Sequence, residues 1–306
     1  MNRAVVHQAF GGPEVLELRE APEPHAKAGE VRVKVAVVGL NPMDWILTSM
    51  PEIAERFGIF LPAGFATDFA GTVDEVGEGV TGFAVGDRVY GGALGRAAAD
   101  HAVVNLATDT ILHTPEGISD EVAATLSVAG MTASAALAAI DVQAGDTVLI
   151  GNASGGVGVL AVQLARLAGA RVIGTASRST FDFIGRLGAE GVAYGDGLAD
   201  RVRDIAPDGI SAATDLFGTE TAEAALALGV PAERISTIAA GPNPPGGVKA
   251  TGGFNGTPED LKRITDGIAA GDITVPIAAT FPIRQIQDAV RQQADRHVHG
   301  KIIVTL

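Results

Sequence analysis

The chain of 306 residues contains no cysteine. That absence excludes disulfides, thiolate zinc sites, iron–sulfur clusters and a cysteine nucleophile. Positive charge is also scarce, with 22 Lys and Arg against 36 Asp and Glu and a formal net charge of −14. Broad binding to nucleic acid or to an anionic membrane needs basic patches that displace counterions, so neither is expected as a partner. No charge-free apolar run of about 18 residues occurs, and no membrane-spanning helix is expected. The opening residues Met1 to His7 lack the apolar run of a secretory signal, so a cytoplasmic location is expected. A Gly-x-Ser-x-Gly elbow and a kinase motif set are both missing.

What is present describes a well-buried α/β protein, 47% hydrophobic and 19% charged. At about 150 residues per domain the length implies two domains, each able to bury a core without metal or disulfide. Glycine is abundant, 40 of 306, nearly double the usual ~7%, and marks tight turns and close backbone approaches.

The first hundred residues carry strand patterns: Val31–Val37 alternates apolar and charged, and Gly71–Gly77 and Asp87–Tyr90 follow between Gly-rich turns. Pro42 to Pro62, a loop or short helix, holds the single Trp. Ser119 followed by Asp120-Glu121 predicts a helix start, with the helix running to about Ala139. From Thr147 strands and helices alternate. Strands are predicted at 147–151, 171–176, 190–194, 211–217 and 234–239, and helices at 156–168, 179–187, 198–205, 220–228 and 258–270. That alternation implies a parallel sheet with crossover helices. A loop at Pro242–Gly247, a strand near Val248–Thr251, and a strand, a helix (Ile283–Ala294) and a last strand (Lys301–Leu306) complete the chain.

The most specific motif is the apolar strand Thr147–Ile150 entering Gly151-Asn152-Ala153-Ser154-Gly155-Gly156-Val157-Gly158 and leaving as an amphipathic helix. In that context Gly155 lets backbone approach a pyrophosphate, Gly158 lets the helix pack on the strand, and the helix N-terminus binds phosphate. Ala153 stands where the first glycine is usual, giving A-x-G-x-x-G. The next strand ends at Ser177-Arg178, 19 residues past Gly158, near where an NAD enzyme places a ribose-binding acid. No acid is present. A hydroxyl and a guanidinium suit a 2′-phosphate, so NADPH is the expected cofactor, the alternative being Arg178 as an ordinary surface charge.

With these residues in view, the sequence resembles the zinc-independent quinone oxidoreductase (zeta-crystallin-like) branch of the medium-chain dehydrogenase/reductase superfamily. The resemblance runs through Phe10–Leu16, Gly39–Asp44, Asp68–Val73, Gly79–Val89, Ala129–Ala133, the phosphate loop and His299–Val304. It implies an α/β fold: a GroES-like β-rich catalytic domain from 1–120 and 276–306, and a Rossmann doubly wound parallel-sheet domain at 121–275. It also implies substrate in the cleft, and a homodimer or homotetramer, with Val248–Thr251 either an edge strand for pairing or an internal strand. Zinc relatives hold catalytic zinc with two cysteines and a histidine. The first cysteine aligns with Asn41 and the histidine with Thr67, neither a plausible ligand, so no metal is expected. Without a Lewis acid, an electron-poor quinone or α,β-unsaturated ketone is the expected small-molecule substrate, reduced by hydride. An enoyl-thioester reductase and a non-catalytic nucleotide-binding protein are the alternatives.

The resemblance further implies site residues. Asn41 donates to a developing oxyanion or stabilises its loop. Asp44 has a site role or orients the loop, and Trp45 walls the pocket or belongs to the core. Thr132 lies near the nicotinamide or is an ordinary helix residue. Tyr194 approaches the adenosine phosphate, Phe217-Gly218 and Ile238-Ala239 flank the cofactor, and Phe254 caps the nicotinamide side. No residue presents itself as a general acid, and His297 with His299 lacks partners for a metal.

Overall fold

The computed structural model describes residues 2–241 and 243–306. Met1 and Pro242, the head of the expected 242–247 loop, lie outside them. In chain order the strands are β1 (Asn2–His7), β2 (Glu17–Ala21), β3 (Glu30–Leu40), β4 (Ala63–Gly64), β5 (Asp68–Val76), β6 (Arg88–Gly92), β7 (His101–Asn105), β8 (Thr110–His113), β9 (Thr147–Ile150), β10 (Arg171–Ala176), β11 (Ala189–Ala193), β12 (Ala212–Asp215), β13 (Ile235–Thr237), β14 (Lys249–Ala250), β15 (Ile277–Pro282) and β16 (Lys301–Thr305). The helices are α1 (Pro42–Ser49), α2 (Pro51–Arg56), α3 (Asp120–Ala123), α4 (Ser127–Ala139), α5 (Gly158–Leu167), α6 (Phe181–Leu187), α7 (Leu198–Ile205), α8 (Glu220–Ala227), α9 (Pro258–Ala270) and α10 (Ile286–Ala294).

The chain divides into two compact units, residues 1–128 with 277–306, and residues 129–276. The division falls in the first turn of α4 and not near 120, because α3 packs on β3 and β5 of the first unit. The helix expected from 119 to 139 is broken between Ala123 and Ser127. Gly39 explains the break: a Cβ there would lie 2.0 Å from the Ala124 carbonyl oxygen, so this turn sits directly on β3. The Val128 N–H leaves the helical pattern and donates to Asp68 Oδ1 at 3.0 Å.

The first unit holds a sheet in the order β15-β16-β3-β5-β6-β8, with β7 also on β3, and a small sheet β2-β1-β4. β3 is long enough to serve two neighbours along one edge. Its first half pairs with β7 and its second half, Val37–Leu40, with β16. Val31, Val33, Val38, Leu40, Phe69, Val73, Val89, Ile302 and Val304 bury their apolar faces in one core. Arg32 breaks the expected alternation by being buried, and it is held there by Asp74 and Glu23.

The second unit is an all-parallel sheet in the order β11-β10-β9-β12-β13-β14. Numbered within the unit this is 3-2-1-4-5-6, the dinucleotide-binding order, whose strand sequence reverses between β9 and β12. β14 is the terminal strand, so the segment at Val248–Thr251 lies at an edge and pairs only with β13. α9 starts on a Thr257 cap whose Oγ1 accepts from Asp260 N, and it stops at Gly271 with φ 81°. These are the signals that place a helix at 258–270.

Candidate active site

Two clusters of functional side chains stand out, one in each unit. In the first, β3 ends at Leu40 and α1 begins at Pro42, so Asn41 is the corner between them. Asp44 Oδ2 accepts the Asn41 backbone N–H at 2.7 Å, sealing the start of α1. The Asn41 side chain is held at both ends: Nδ2 donates to Asp68 Oδ2 at 2.9 Å, and Oδ1 accepts from Lys301 Nζ at 2.6 Å. Lys301 also lies 3.9 Å from Asp68 Oδ2, and Thr67 Oγ1 donates to Asp44 Oδ1 at 3.2 Å. Asn41, Asp44, Asp68 and Lys301 are all buried.

Burial dominates the electrostatics here. It lifts Asp44 to about 7, with the Asp68 charge adding to the rise and the Asn41 N–H, Lys301 and Thr67 opposing it. It lifts Asp68 to about 6, against the pull of Lys301, Asn41 and Val128 N–H. It also pushes the Lys301 ammonium down, with Asp68 and then Asp44 holding it up.

This geometry bears on the two roles expected for Asn41. Asn41 is buried and engaged at both ends of its amide, as the loop-stabilising reading of this residue requires. Asp44 orients the same loop. Trp45 is half-buried, packs against the core of the first unit, and carries the Arg296 guanidinium 5.6 Å from its ring centroid. Zinc does not fit. Asn41 and Thr67 are poor ligands already spent on hydrogen bonds, and the ammonium of Lys301 would repel a cation at their side. Among the described residues no group of three or more His, Asp or Glu is placed for a metal.

The second cluster lines the carboxyl edge of the parallel sheet. Asn152 adopts φ 52°, and its N–H donates to Thr175 Oγ1 at 2.9 Å, while Ala153 N–H donates to Thr175 O. A Cβ on Gly158 would lie 2.1 Å from the Asn152 carbonyl oxygen, so only glycine lets the loop fold back onto the start of α5. Ala153 is fully buried where a glycine is usual, and the room for its methyl comes from Gly174, whose Cβ would stand 2.6 Å from it. No acid lies in the first turn of α5. The Gly155, Val159 and Leu160 N–H groups turn back onto the carbonyls of Asn152, Gly155 and Val157, so the loop closes on itself through backbone alone and the start of α5 carries no side-chain cap.

β10 ends at half-buried Ser177, whose hydroxyl meets Ser179 Oγ at 3.0 Å and Thr180 Oγ1 at 3.1 Å. Arg178 is exposed, and among the described residues no carboxylate pairs with it. Tyr194, Phe217 and Phe254 are large exposed rings. Tyr194 and Phe217 follow β11 and β12, while Phe254 lies in a short turn after β14. Ile238 and Ala239 follow β13. Thr132 is buried within α4.

Sequence reasoning missed Asp68 and Lys301 as members of one cluster, and it missed Asp215. That buried carboxylate accepts four backbone N–H groups, Phe217 and Gly218 on Oδ1 and Thr221 and Ala222 on Oδ2. It fixes the turn after β12 and closes the N-terminus of α8. The signal was an Asp at the end of an apolar strand, four residues ahead of the Thr219-Glu220 helix start.

Comparison with known proteins agrees with this architecture. A family model described as the alcohol dehydrogenase GroES-like domain matches residues 27–102, and one described as zinc-binding dehydrogenase matches residues 187–304. The quinone oxidoreductase of Pseudomonas aeruginosa is 31% identical over 335 aligned positions covering 99% of both chains. The chain belongs to the quinone oxidoreductases. They form a branch of the medium-chain dehydrogenase/reductase superfamily, and this quinone oxidoreductase family member has its GroES-like and Rossmann-like units. A mycobacterial structure complexed with NADPH superposes with a TM-score of 0.87 at 28% identity, covering all of both chains. The CurK enoyl reductase superposes with a TM-score of 0.87 at 26% identity over 99% of each. The family is one of oxidoreductases that use a nicotinamide cofactor. No helix among the described residues is long and apolar enough to cross a membrane.

Proposed function

We propose that this quinone oxidoreductase family member is a zinc-independent, NADPH-dependent reductase of quinones or α,β-unsaturated ketones. The observation that carries the cofactor choice is the end of β10, where Ser177 and unpaired Arg178 replace the acid that would repel a 2′-phosphate. The uncapped start of α5 and its glycine loop would hold the pyrophosphate, and the turns after β11, β12 and β13 would flank the rest of the nucleotide. When bound, the cofactor supplies a hydride. An electron-poor acceptor takes it without a Lewis acid, and the poor ligand set at Asn41 and Thr67 supports that reading. The likeness to the CurK enoyl reductase supports a second reading, reduction of an enoyl thioester.

One assay separates these readings: NADPH oxidation followed with an ortho-quinone, an alkenone and an enoyl thioester. Turnover of the quinone or alkenone is expected, and turnover of the thioester alone supports the second reading. Nucleotide binding without turnover of any acceptor would instead indicate a non-catalytic nucleotide-binding protein. Arg178→Ala is expected to raise the KM for NADPH about tenfold or more, as loss of one charge-assisted hydrogen bond of about 1.5–3 kcal/mol implies, leaving NADH unchanged. An equal effect on both cofactors would refute the assignment.

A further inference from the structure

Asp44, Asp68 and Lys301 are at most 4% exposed, and hydride transfer alone leaves them without a role. Two carboxylates against one ammonium carry net negative charge away from bulk water, and such a cluster relieves the charge by holding one proton. Hydrogen bonds decide where that proton sits. Asp68 has the stronger reasons to stay ionised: it accepts from Asn41 Nδ2 and Val128 N, and it forms the ion pair with Lys301. Asp44 has one backbone N–H on Oδ2, and its Oδ1 meets the Thr67 hydroxyl; with the proton on Oδ1 that hydrogen bond runs from Asp44 to Thr67 Oγ1 and frees the Thr67 O–H to donate elsewhere. Burial holding Asp44 at about 7, above Asp68 at about 6, agrees with that placement.

Thr67 is the least enclosed of the hydrogen-bonding side chains around Asp44, half-buried beside a fully enclosed carboxyl. Thr67 and Asp44 line one cavity with His7, Thr48 and Phe65, and its volume of about 10 Å³ matches a single water. The charged or titratable groups that face Asp44 are Asp68 from β5, Lys301 from β16 and His7 from β1, whose Nδ1 lies 3.1 Å from the Ala9 carbonyl oxygen.

We propose that Thr67 and Asp44 form the proton-delivery pair of the reduction, Thr67 meeting the substrate and Asp44 supplying the proton behind it. The inference rests on the reductase reading. As the acceptor takes a hydride and its oxygen becomes negative, the Thr67 O–H bond breaks and a substrate O–H bond forms. The Asp44 O–H bond then breaks and the Thr67 O–H re-forms. The substrate gains two electrons and two hydrogens, the dihydronicotinamide is oxidised, and Asp44 is left as a carboxylate that a proton from the water-sized cavity recharges. Thr67 is the catalytic residue, and Asp44 acts through it as a positioning residue.

The test combines spectroscopy on the cofactor-free full chain with kinetics. The infrared carbonyl stretch of a protonated carboxyl is expected to fade as pH rises through about 7 in the wild type and to be missing in Asp44→Asn. Because Asp44 is the acid form below that pH, the wild-type kcat is expected to fall as pH rises above it, and Asp44→Asn to lose this limb. Thr67→Val and Asp44→Asn are each expected to lower kcat about 100-fold with the Kd for NADPH unchanged, while Thr67→Ser stays close to wild type. A titrating carboxyl band with an unchanged Thr67→Val rate overturns the delivery role alone, and so does an Asp44→Asn variant that keeps the wild-type pH profile. A wild type that reduces none of the three acceptors overturns the reductase reading and the delivery role together.

Discussion

The start of α1 and the start of α5 are both helix N-termini beside a functional cluster, yet they are finished in opposite ways. At α1, Asp44 turns back onto the Asn41 N–H, and the cluster side chains are tied to one another: Asn41 to Asp68 and Lys301, Thr67 to Asp44. At α5 no side chain caps the helix and no acid enters its first turn. A helix N-terminus leaves up to four N–H groups without intrahelical partners, so the closed end stores charge internally while the open end is built to take it from a ligand. α8 repeats the closed solution one strand away, with the Asp215 carboxylate across four N–H groups. Of the two helices that follow strands β9 and β12 at the reversal of strand order, one is sealed and the other is available.

The sharpest way to break this contrast is to unbalance the closed cluster. Lys301→Met leaves Asp68 buried without its ammonium, and a loss of about 3–5 kcal/mol in a urea unfolding titration is expected. A loss below about 1 kcal/mol would mean that the cluster does not depend on its cation. Next in size is Asp215→Asn, which places an amide NH2 against backbone N–H donors. It is expected to cost about 1–3 kcal/mol of stability and to weaken NADPH binding several-fold by calorimetry, because the Phe217-Gly218 turn loses its anchor. Unchanged affinity would show that this turn does not bear on the nucleotide. The smallest effect belongs to the open loop's packing. Gly174→Ala drives one methyl into another at Ala153 and is expected to lower stability by about 1–2 kcal/mol. Adding Ala153→Gly should restore most of it in a double-mutant cycle; failure to restore would place the strain elsewhere.

The two clusters were also unequally legible. The loop after β9 is written in adjacent glycines, and each requirement, such as the fold-back at Gly158, is met within a few residues. α9 is similarly local, from its Thr257 cap to its stop at Gly271. The closed cluster joins residues 27 and 260 positions apart, and no spacing rule connects Asn41 to Lys301. For that reason the sequence leaves Asn41 open as substrate donor or loop stabiliser, and only the fold shows its amide held between Asp68 and Lys301. The unbroken helix expected at 119–139 fails for the same kind of reason, since Gly39 and Asp68, which reshape it, lie in distant strands. Even the Ala153 departure from the glycine pattern is answered from another strand, by Gly174.

The position of β16 has a consequence for how the molecule is made. It inserts between β15 and β3, so the largest sheet of the first unit lacks two of its strands until residue 305 has been synthesised. The intervening 129–276 unit has its complete strand set before then. Domains fold as units as they emerge, so the unit that begins the chain is the one that closes last. The same late strand delivers Lys301, and until it docks, Asp44 and Asp68 have no counter-ion and every reason to stay in water.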